Sequence, residues 1–550
     1  MRSTKGQAAT AMMGVLLVAT GCAGTSTKHV TPTPTTDQPV KGGTLVIALA
    51  GEPSCADWLA ACGTFQSGFT AMGRPTVPRA LDYVDGQYRP TAVLAGEPVV
   101  AAGPPQRVTY RLNPKAVWSD GQPITSSDFR YSWDQVVNGA GIANRTGFDK
   151  IESVDDTDPK TAVVTFKEAY AAWRTLFATI LPKHLLDGKD RGAEMKDGYS
   201  WSGGPWVIDH WTRGQEIKLV PNPRYWDKLP NLEAVVWKII PDTAAALAAY
   251  KTGQVSLLQN LPPEATAADL HALPDTRPDV ATSLGVSWIS FNTQKPPLDS
   301  TAVRQALAYS ADRDAVVSQV LGPIKPDVKA VQSWTTPASG RWYLEPYARY
   351  RPDPAKVAQL MGGDGWVKGT DGIWAKGGQR AQFELLGSTA KSNQLARQIL
   401  QSQWKAAGFD VSLADVSPSA QADREAKGAY DAETSGFAFP SDDPGRCSFL
   451  CSRSIPSAAN ANSGQNVTRV ADPALDAAWA RVDAEVDDAK RLDAVKQADN
   501  LTADLVPGLP FAPGLATLVY STARLAGPIS NNIPYPFFNL NEWYCRGGTC

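Results

Sequence analysis

Histidine is scarce and scattered. The 550 residues hold four, His29, His184, His210 and His271, and no two cysteines stand at the C-x-x-C spacing common in structural zinc sites. A metal centre is therefore set aside. G-x-S-x-G, H-E-x-x-H, G-x-x-x-x-G-K-[ST] and a strand-borne G-x-G-x-x-G are missing, so no motif positions a nucleophile, a zinc ion with its base or a bound phosphate. Scattered Asp and Glu cannot be paired into an acid/base dyad from sequence, which leaves an exported hydrolase as an alternative without a motif. Neither sign of charge dominates: 53 Lys and Arg against 55 Asp and Glu leave a net −2, and that removes the basic surface a nucleic-acid binder needs. The apolar run Ala8–Ala19 is shorter than the roughly 20 residues a membrane helix requires.

What is present points to an exported, multidomain protein. At 550 residues the chain exceeds one hydrophobic core, so two or three domains are expected. Seventeen Trp are more than ordinary usage; most fill cores, and a few are expected to line a cleft. Arg2 and Lys5 precede the apolar run, and Thr20-Gly21-Cys22 follow it, the layout of an export signal. The ending Ala19-Thr20-Gly21-Cys22 resembles the bacterial lipobox, which implies cleavage before Cys22, its acylation, and a mature chain held on the outer face of the cytoplasmic membrane; a plain secretory signal is the alternative. Residues 23–42 are rich in Thr and Pro and nearly devoid of apolar side chains, so they cannot offset the entropy of ordering and read as a tether of up to roughly 60 Å. Beyond Cys22 the six cysteines lie in close couples, Cys55/Cys62, Cys447/Cys451 and Cys545/Cys550; an even count behind an export signal indicates disulfides, and proximity favours these three local pairs.

Along the mature chain, strands and helices alternate. Thr44–Leu49 is a β-rich run ended by Gly51-Glu52-Pro53. Arg107–Leu112 alternates and leads through the Asp120-Gly121 turn to Thr125 and Asp128, an approximate capping box for a helix carrying Phe129, Tyr131 and Trp133. A strand over 162–166 precedes a helix expected from Tyr170 to Phe177. Residues 203–226, GGPWVIDHWTRGQEIKLVPNPRYW, organise the chain: a hairpin turning at Thr212-Arg213-Gly214, then Pro221-Asn222-Pro223 stopping the ladder and placing Tyr225 and Trp226 as an aromatic lid. A strand over 234–240, a helix over 242–251 and a strand over 255–258 make one β-α-β unit. Strand 383–386, helix 393–407 and strand 409–413 make a second. Between them lie a strand over 286–292 and a helix over 299–312, on which Arg304 and Arg313 are expected to pair with carboxylates. One helical stretch is expected over 472–505.

The order S-G-G-P-W, strand, turn, strand, N-P-R-Y-W resembles the signature of extracytoplasmic solute-binding proteins of the oligopeptide/dipeptide ABC-importer family, family 5, in its actinobacterial lipoprotein form. So do W-S-D-G-Q-P-I-T-S-S-D-F at 118–129, P-L-D-S-T-A-V-R-Q-A-L-A-Y-S-A-D-R at 297–313 and L-P-F-A-P at 509–513. The resemblance implies an α/β periplasmic-binding-protein-like fold, class II and of the large three-domain type, with two lobes joined by a hinge near 287–293 and 507–513. It divides the chain into a signal peptide (1–21), a lipidated tether (22–42), domain I (43–75, 181–285 and 509–550), domain II (76–180) and domain III (286–508). It also implies a monomer, not an enzyme and without cofactor. Such a protein captures a peptide or other small solute by closure and hands it to an ABC permease with its ATPase subunits, while the lipid anchor holds it at the cell membrane. A non-transport envelope lipoprotein of the same fold, acting in glycolipid synthesis, is the alternative.

The resemblance places Asp442, Phe437, Phe439, Glu52 and Trp288 at the ligand. Peptide-binding relatives carry an Asp for the peptide's α-ammonium three residues before an Asp-Pro or Glu-Pro. Aligned on Asp443-Pro444, that Asp falls on Pro440, which has no carboxylate. Either Asp442 substitutes for it, with Phe437 and Phe439 as cleft walls, or the ligand carries no ammonium.

Overall fold

A computed structural model of the chain describes residues 38–63, 68–101, 103–259, 273, 275–460, 462, 464–531 and 535–550. Cys22, the signal and most of the tether lie outside the described residues. Among the described residues no helix is long and apolar enough to cross a membrane.

The frame is a ten-stranded sheet. Its strands are β1 (Thr44–Leu49), β2 (Trp206–Thr212), β3 (Glu216–Pro221), β4 (Ala234–Ile239), β5 (Leu257–Gln259), β6 (Thr276–Phe291), β7 (Gln382–Gly387), β8 (Asp410–Asp415), β9 (Ala432–Ala438) and β10 (Gly508–Ser521), laid side by side as β8-β7-β9-β6-β10-β5-β1-β4-β3-β2. The organising hairpin is the β2–β3 edge, paired antiparallel with Ile208 opposite Leu219, and Gly214 takes the positive φ of 72° that the turn needs. β4 and β5 flank β1 in parallel, joined by the helix Thr243–Lys251 whose cap is Asp242. β7 and β8 are parallel across the helix Lys391–Ala407, which stops at Gly408 in the left-handed region. Both β-α-β units form as the sequence predicts.

Two large cores stand on either side of the central β6–β10 pair, and a small third one lies where the helix Thr243–Lys251 meets the sheet. Of the two large cores, one gathers the β1–β4 half with a separate four-stranded sheet (99–101, 107–111, 151–158, 161–166) and the helix Ser126–Asn138. There the Asp128 carboxylate reaches back to the Thr125 N–H at 2.8 Å. The other gathers β6–β9 with helices 301–310, 313–321, 391–407, 473–484 and 488–505. This is the two-lobed class II architecture. The long strands β6 and β10 belong to both lobes, and their register shifts between Thr282 and Val286, opposite Gly514. The backbones touch there: a Cβ on Gly514 would stand 2.9 Å from the Gly285 Cα, so neither position has room for a side chain.

Local expectations fail where a residue finds a tertiary use. The helix expected over 170–177 is one 3-10 turn, Trp173–Thr175, because Leu176 is extended and Phe177 sits at φ 56°, which drives Tyr170, Trp173 and Phe177 into the core instead. The stretch 472–505 breaks at Glu485 into two helices, the second capped by Asp487, whose side chain accepts from the Lys490 N–H. Among the described residues, Arg304 and Arg313 pair with no carboxylate. Arg304 donates to the carbonyls of Leu298, Asp299, Leu505 and Val506, and Arg313 to those of Val331, Tyr347, Tyr350 and Pro510. They are cross-braces for strand and loop ends, a job for which the five-donor guanidinium suits better than for a helix-surface ion pair.

Candidate functional site

Between the lobes lies a cavity of about 390 Å³, within the range of small-molecule sites. The first lobe supplies residues 142–146, Asp149 and Lys150; the second supplies Ser448, Arg453, Ser454, Asn460, Gly464, Gln465 and Asp483. The first wall is the loop that follows helix Ser126–Asn138. Arg145 folds back over the end of that helix, donating to the Val137 and Gly139 carbonyls, and the Asp149 carboxylate closes the turn by accepting from the Gly147 N–H at 2.9 Å. The second wall is pinned by the Cys447–Cys451 disulfide, one of three local disulfides in the structure with Cys55–Cys62 and Cys545–Cys550.

Asp483 is the unusual member. On helix Pro473–Ala484 the buried stripe runs Leu475, Trp479, Val482 and then Asp483, a carboxyl on the apolar register and only 6% exposed. Burial, reinforced by Asp443, pushes its pKa up to about 6, while Lys150, Arg491 and Arg453 pull it down. Lys150 of the opposite lobe acts on it through its charge while standing 3.8 Å from Glu168, and the Asp483 carbonyl accepts from the Ala171 N–H of that lobe at 2.9 Å. Asp443 is held apart by both nitrogens of Arg491 at 2.9 Å. The cavity therefore presents cations (Arg145, Lys150, Arg453) and carboxyls (Asp149, Asp483) to the same small volume.

Of the residues expected at the ligand, the structure groups three. Phe437 and Phe439 meet Phe449 edge-on, with centroids 5.0–5.9 Å apart in the cluster, beside the cavity residue Ser448. Asp442 is 2% exposed on the same loop; its Oδ2 accepts from the Arg341 N–H at 3.2 Å and lies 3.5 Å from Arg341 Nε. Tyr83 of the first lobe faces it, and the carboxyl's pKa is raised by burial. In this arrangement Asp442 bridges the lobes and does not line the cavity. Trp288 lies in the second core, its indole N–H on Ser290 Oγ at 2.9 Å and its ring 5.3 Å from Trp334. Glu52 pins the hairpin turn, accepting from Trp211 Nε1 at 2.7 Å and the Gly214 N–H at 2.9 Å. Neither is brought to the cavity. Asp483 escaped sequence reasoning, although a carboxyl at the end of an apolar helical stripe was the signal that would have found it.

Residues 94–453, well over half the chain, match the family described as bacterial extracellular solute-binding proteins, family 5 Middle. The probable monoacyl phosphatidylinositol tetramannoside-binding protein LpqW of Mycobacterium tuberculosis is 29% identical over 258 residues, 46% of this chain and 40% of LpqW, so the chain matches less than half of that relative's length. The oligopeptide-binding protein OppA of M. tuberculosis is 28% identical over 488 residues, 84% of this chain and 78% of OppA. Among solved structures, the periplasmic EDTA-binding protein EppA superposes with a TM-score of 0.83 at 22% identity, covering 92% of this chain and 97% of EppA, a likeness of fold. With two lobes, a cavity walled by both and this match, the chain belongs to the family 5 extracellular solute-binding proteins of ABC importers, a family of binding proteins and not of enzymes.

Proposed function

We propose that this protein captures short peptides in the interlobe cavity and delivers them to an ABC permease. The observation that carries the reading is the pairing of opposite charges across one small cavity: Asp483 on one side, Lys150 and Arg453 near it. A zwitterion of peptide size satisfies both. Its α-ammonium takes Asp483, the replacement for the carboxylate missing at Pro440, and its carboxylate takes Arg453 with Lys150. Asp442 keeps Arg341 and Tyr83, and its part is in holding the lobes together, with Phe437 and Phe439 as the apolar border. Because the cavity has walls in both lobes, ligand favours the closed form by the contacts it makes only there. The lipid anchor at Cys22 keeps the protein beside its permease.

Calorimetry tests this with a set of di- to tetrapeptides, free and N-acetylated. Free peptides should bind, acetylation should weaken binding at least tenfold, and Asp483→Asn should abolish the difference between the two forms. Equal affinity for both forms in the native protein would refute the ammonium assignment. A second reading, recognition of a glycolipid headgroup in a non-transport role, is favoured by the similarity to LpqW. Absence of peptide binding together with saturable binding of a phosphatidylinositol mannoside would replace the first reading with this one.

A further inference from the structure

The first lobe holds a second cavity, of about 220 Å³, that shares no lining residue with the interlobe one. It is enclosed by segments 74–79, 91–93 and 203–206, by Tyr225, and by the C-terminal stretch 537–542. Two guanidiniums share one carboxylate at its base. Arg74 donates to Asp82 Oδ1; Arg79 donates to the same oxygen through Nε, to Oδ2 through Nη2 at 2.8 Å and to the Arg74 carbonyl at 2.7 Å. The three side chains are 10–14% exposed and together carry one positive charge. Desolvation and the neighbouring Arg79 lower the Arg74 pKa to about 10 against the opposing pull of Asp82 and Tyr535.

Two buried donors in this lining have no partner among the described residues: Arg74 Nε and the indole Nε1 of Trp206, itself 0% exposed. A buried N–H left unpaired is costly, and both here are donors, so the missing partner is an acceptor. Tyr535 lies with its ring 3.5 Å from the Arg74 guanidinium and adds a side-chain hydrogen bond to it, yet Arg74 Nε is still without a partner among the described residues. The apolar part of the wall is Val77, Pro78, Val93, Phe537 and Leu540, and Thr91, Asn539 and Asn541 add polar groups beside it. Of the rim charges, Asp227 and Lys228 are exposed and screened by water, and the half-buried Glu542 is paired with Lys228 at 3.0 Å.

We propose that this cavity is a second ligand site, for a small organic carboxylate with an apolar body, whose oxygens accept from Arg74 and Trp206 while the body packs on the apolar wall. All its residues lie in one lobe, so occupancy does not require closure and is independent of the peptide site. The test is calorimetric titration of the whole mature protein with benzoate, acetate and inorganic phosphate. Benzoate should give a saturable one-to-one isotherm, acetate should bind at least tenfold more weakly for want of the apolar body, and saturating peptide should leave the benzoate affinity unchanged. Trp206→Phe, which keeps an aromatic in the core, and Arg74→Lys, which keeps a cation for Asp82, should each weaken benzoate at least tenfold while peptide binding stays as in the native protein. No saturable benzoate binding, or an affinity unchanged in both variants, overturns the site. Phosphate binding as tightly as benzoate overturns its assignment to an organic anion.

Discussion

Asp483→Asn should stabilise the free protein at neutral pH and disable it. The carboxyl is buried on the apolar stripe of its helix, and its pKa rises from 3.8 to about 6 chiefly through desolvation, with Asp443 adding and Lys150, Arg491 and Arg453 opposing. A shift of about two pKa units corresponds to about 3 kcal/mol at 1.36 kcal/mol per unit. Because the folded pKa lies above the unfolded one, the fold prefers the neutral acid: its contribution is fully present below about pH 4 and is lost as pH rises through about 6. An amide is neutral throughout. The variant should therefore match the native protein near pH 4 and exceed it by up to about 3 kcal/mol at pH 7.5, a rise in Tm of about 3 °C for a chain of this size. Scanning calorimetry of both proteins without ligand at the two pH values measures this. A variant less stable at pH 7.5, or a difference equal at both pH values, would refute the argument that the fold works against an ionised, desolvated carboxyl at this position. Added stability with lost peptide binding is the behaviour of a group retained for function at the expense of the fold.

Two further perturbations bear on anchoring and closure. Cys22→Ala should release the protein from membranes or leave the signal uncleaved; fractionation and intact-mass measurement check it, and unchanged membrane association with an unchanged mass is the contrary result. Gly514→Ala puts a Cβ 2.3 Å from Ser283 Oγ and 2.9 Å from the Gly285 Cα; the serine can rotate away but the backbone cannot, so the two central strands must part, at about 1–3 kcal/mol. A lower Tm and a changed radius of gyration by small-angle scattering are expected, and identity with the native protein in both would show that the crossing tolerates a side chain.

The fold was legible because its signals are local. Alternation in 206–221, a capping residue such as Asp242 ahead of an alanine-rich run, and Gly408 behind a helix each act within a few residues and need no partner to be read. What failed were residues whose use is settled by distant chain. Phe177 takes a left-handed backbone to reach the core, and Arg304 finds its acceptors on the carbonyls of 505 and 506, two hundred residues away. No periodicity encodes either. Glu52 looked like a ligand residue from its place after the first strand, yet both oxygens serve a hairpin turn about 160 residues later.

The site obeys the same logic with one added asymmetry. Phe437, Phe439 and Asp442 stand where the second lobe meets the first, and sequence reasoning sought the ammonium's counter-charge within that loop. A carboxylate already holding a backbone N–H and flanked by a guanidinium and a phenol gains little from a ligand, because the ligand must first displace partners of comparable strength. A carboxyl kept on an apolar stripe against its own desolvation, with cations near it but none in a close ion pair among the described residues, gains the most. By that criterion the charge that matters in a cleft is the one the fold has left uncompensated, and it is found by asking which buried groups are short of partners rather than which exposed ones stand near a motif. Asp483 meets it in the interlobe cavity; Arg74 and Trp206 meet it in the first lobe.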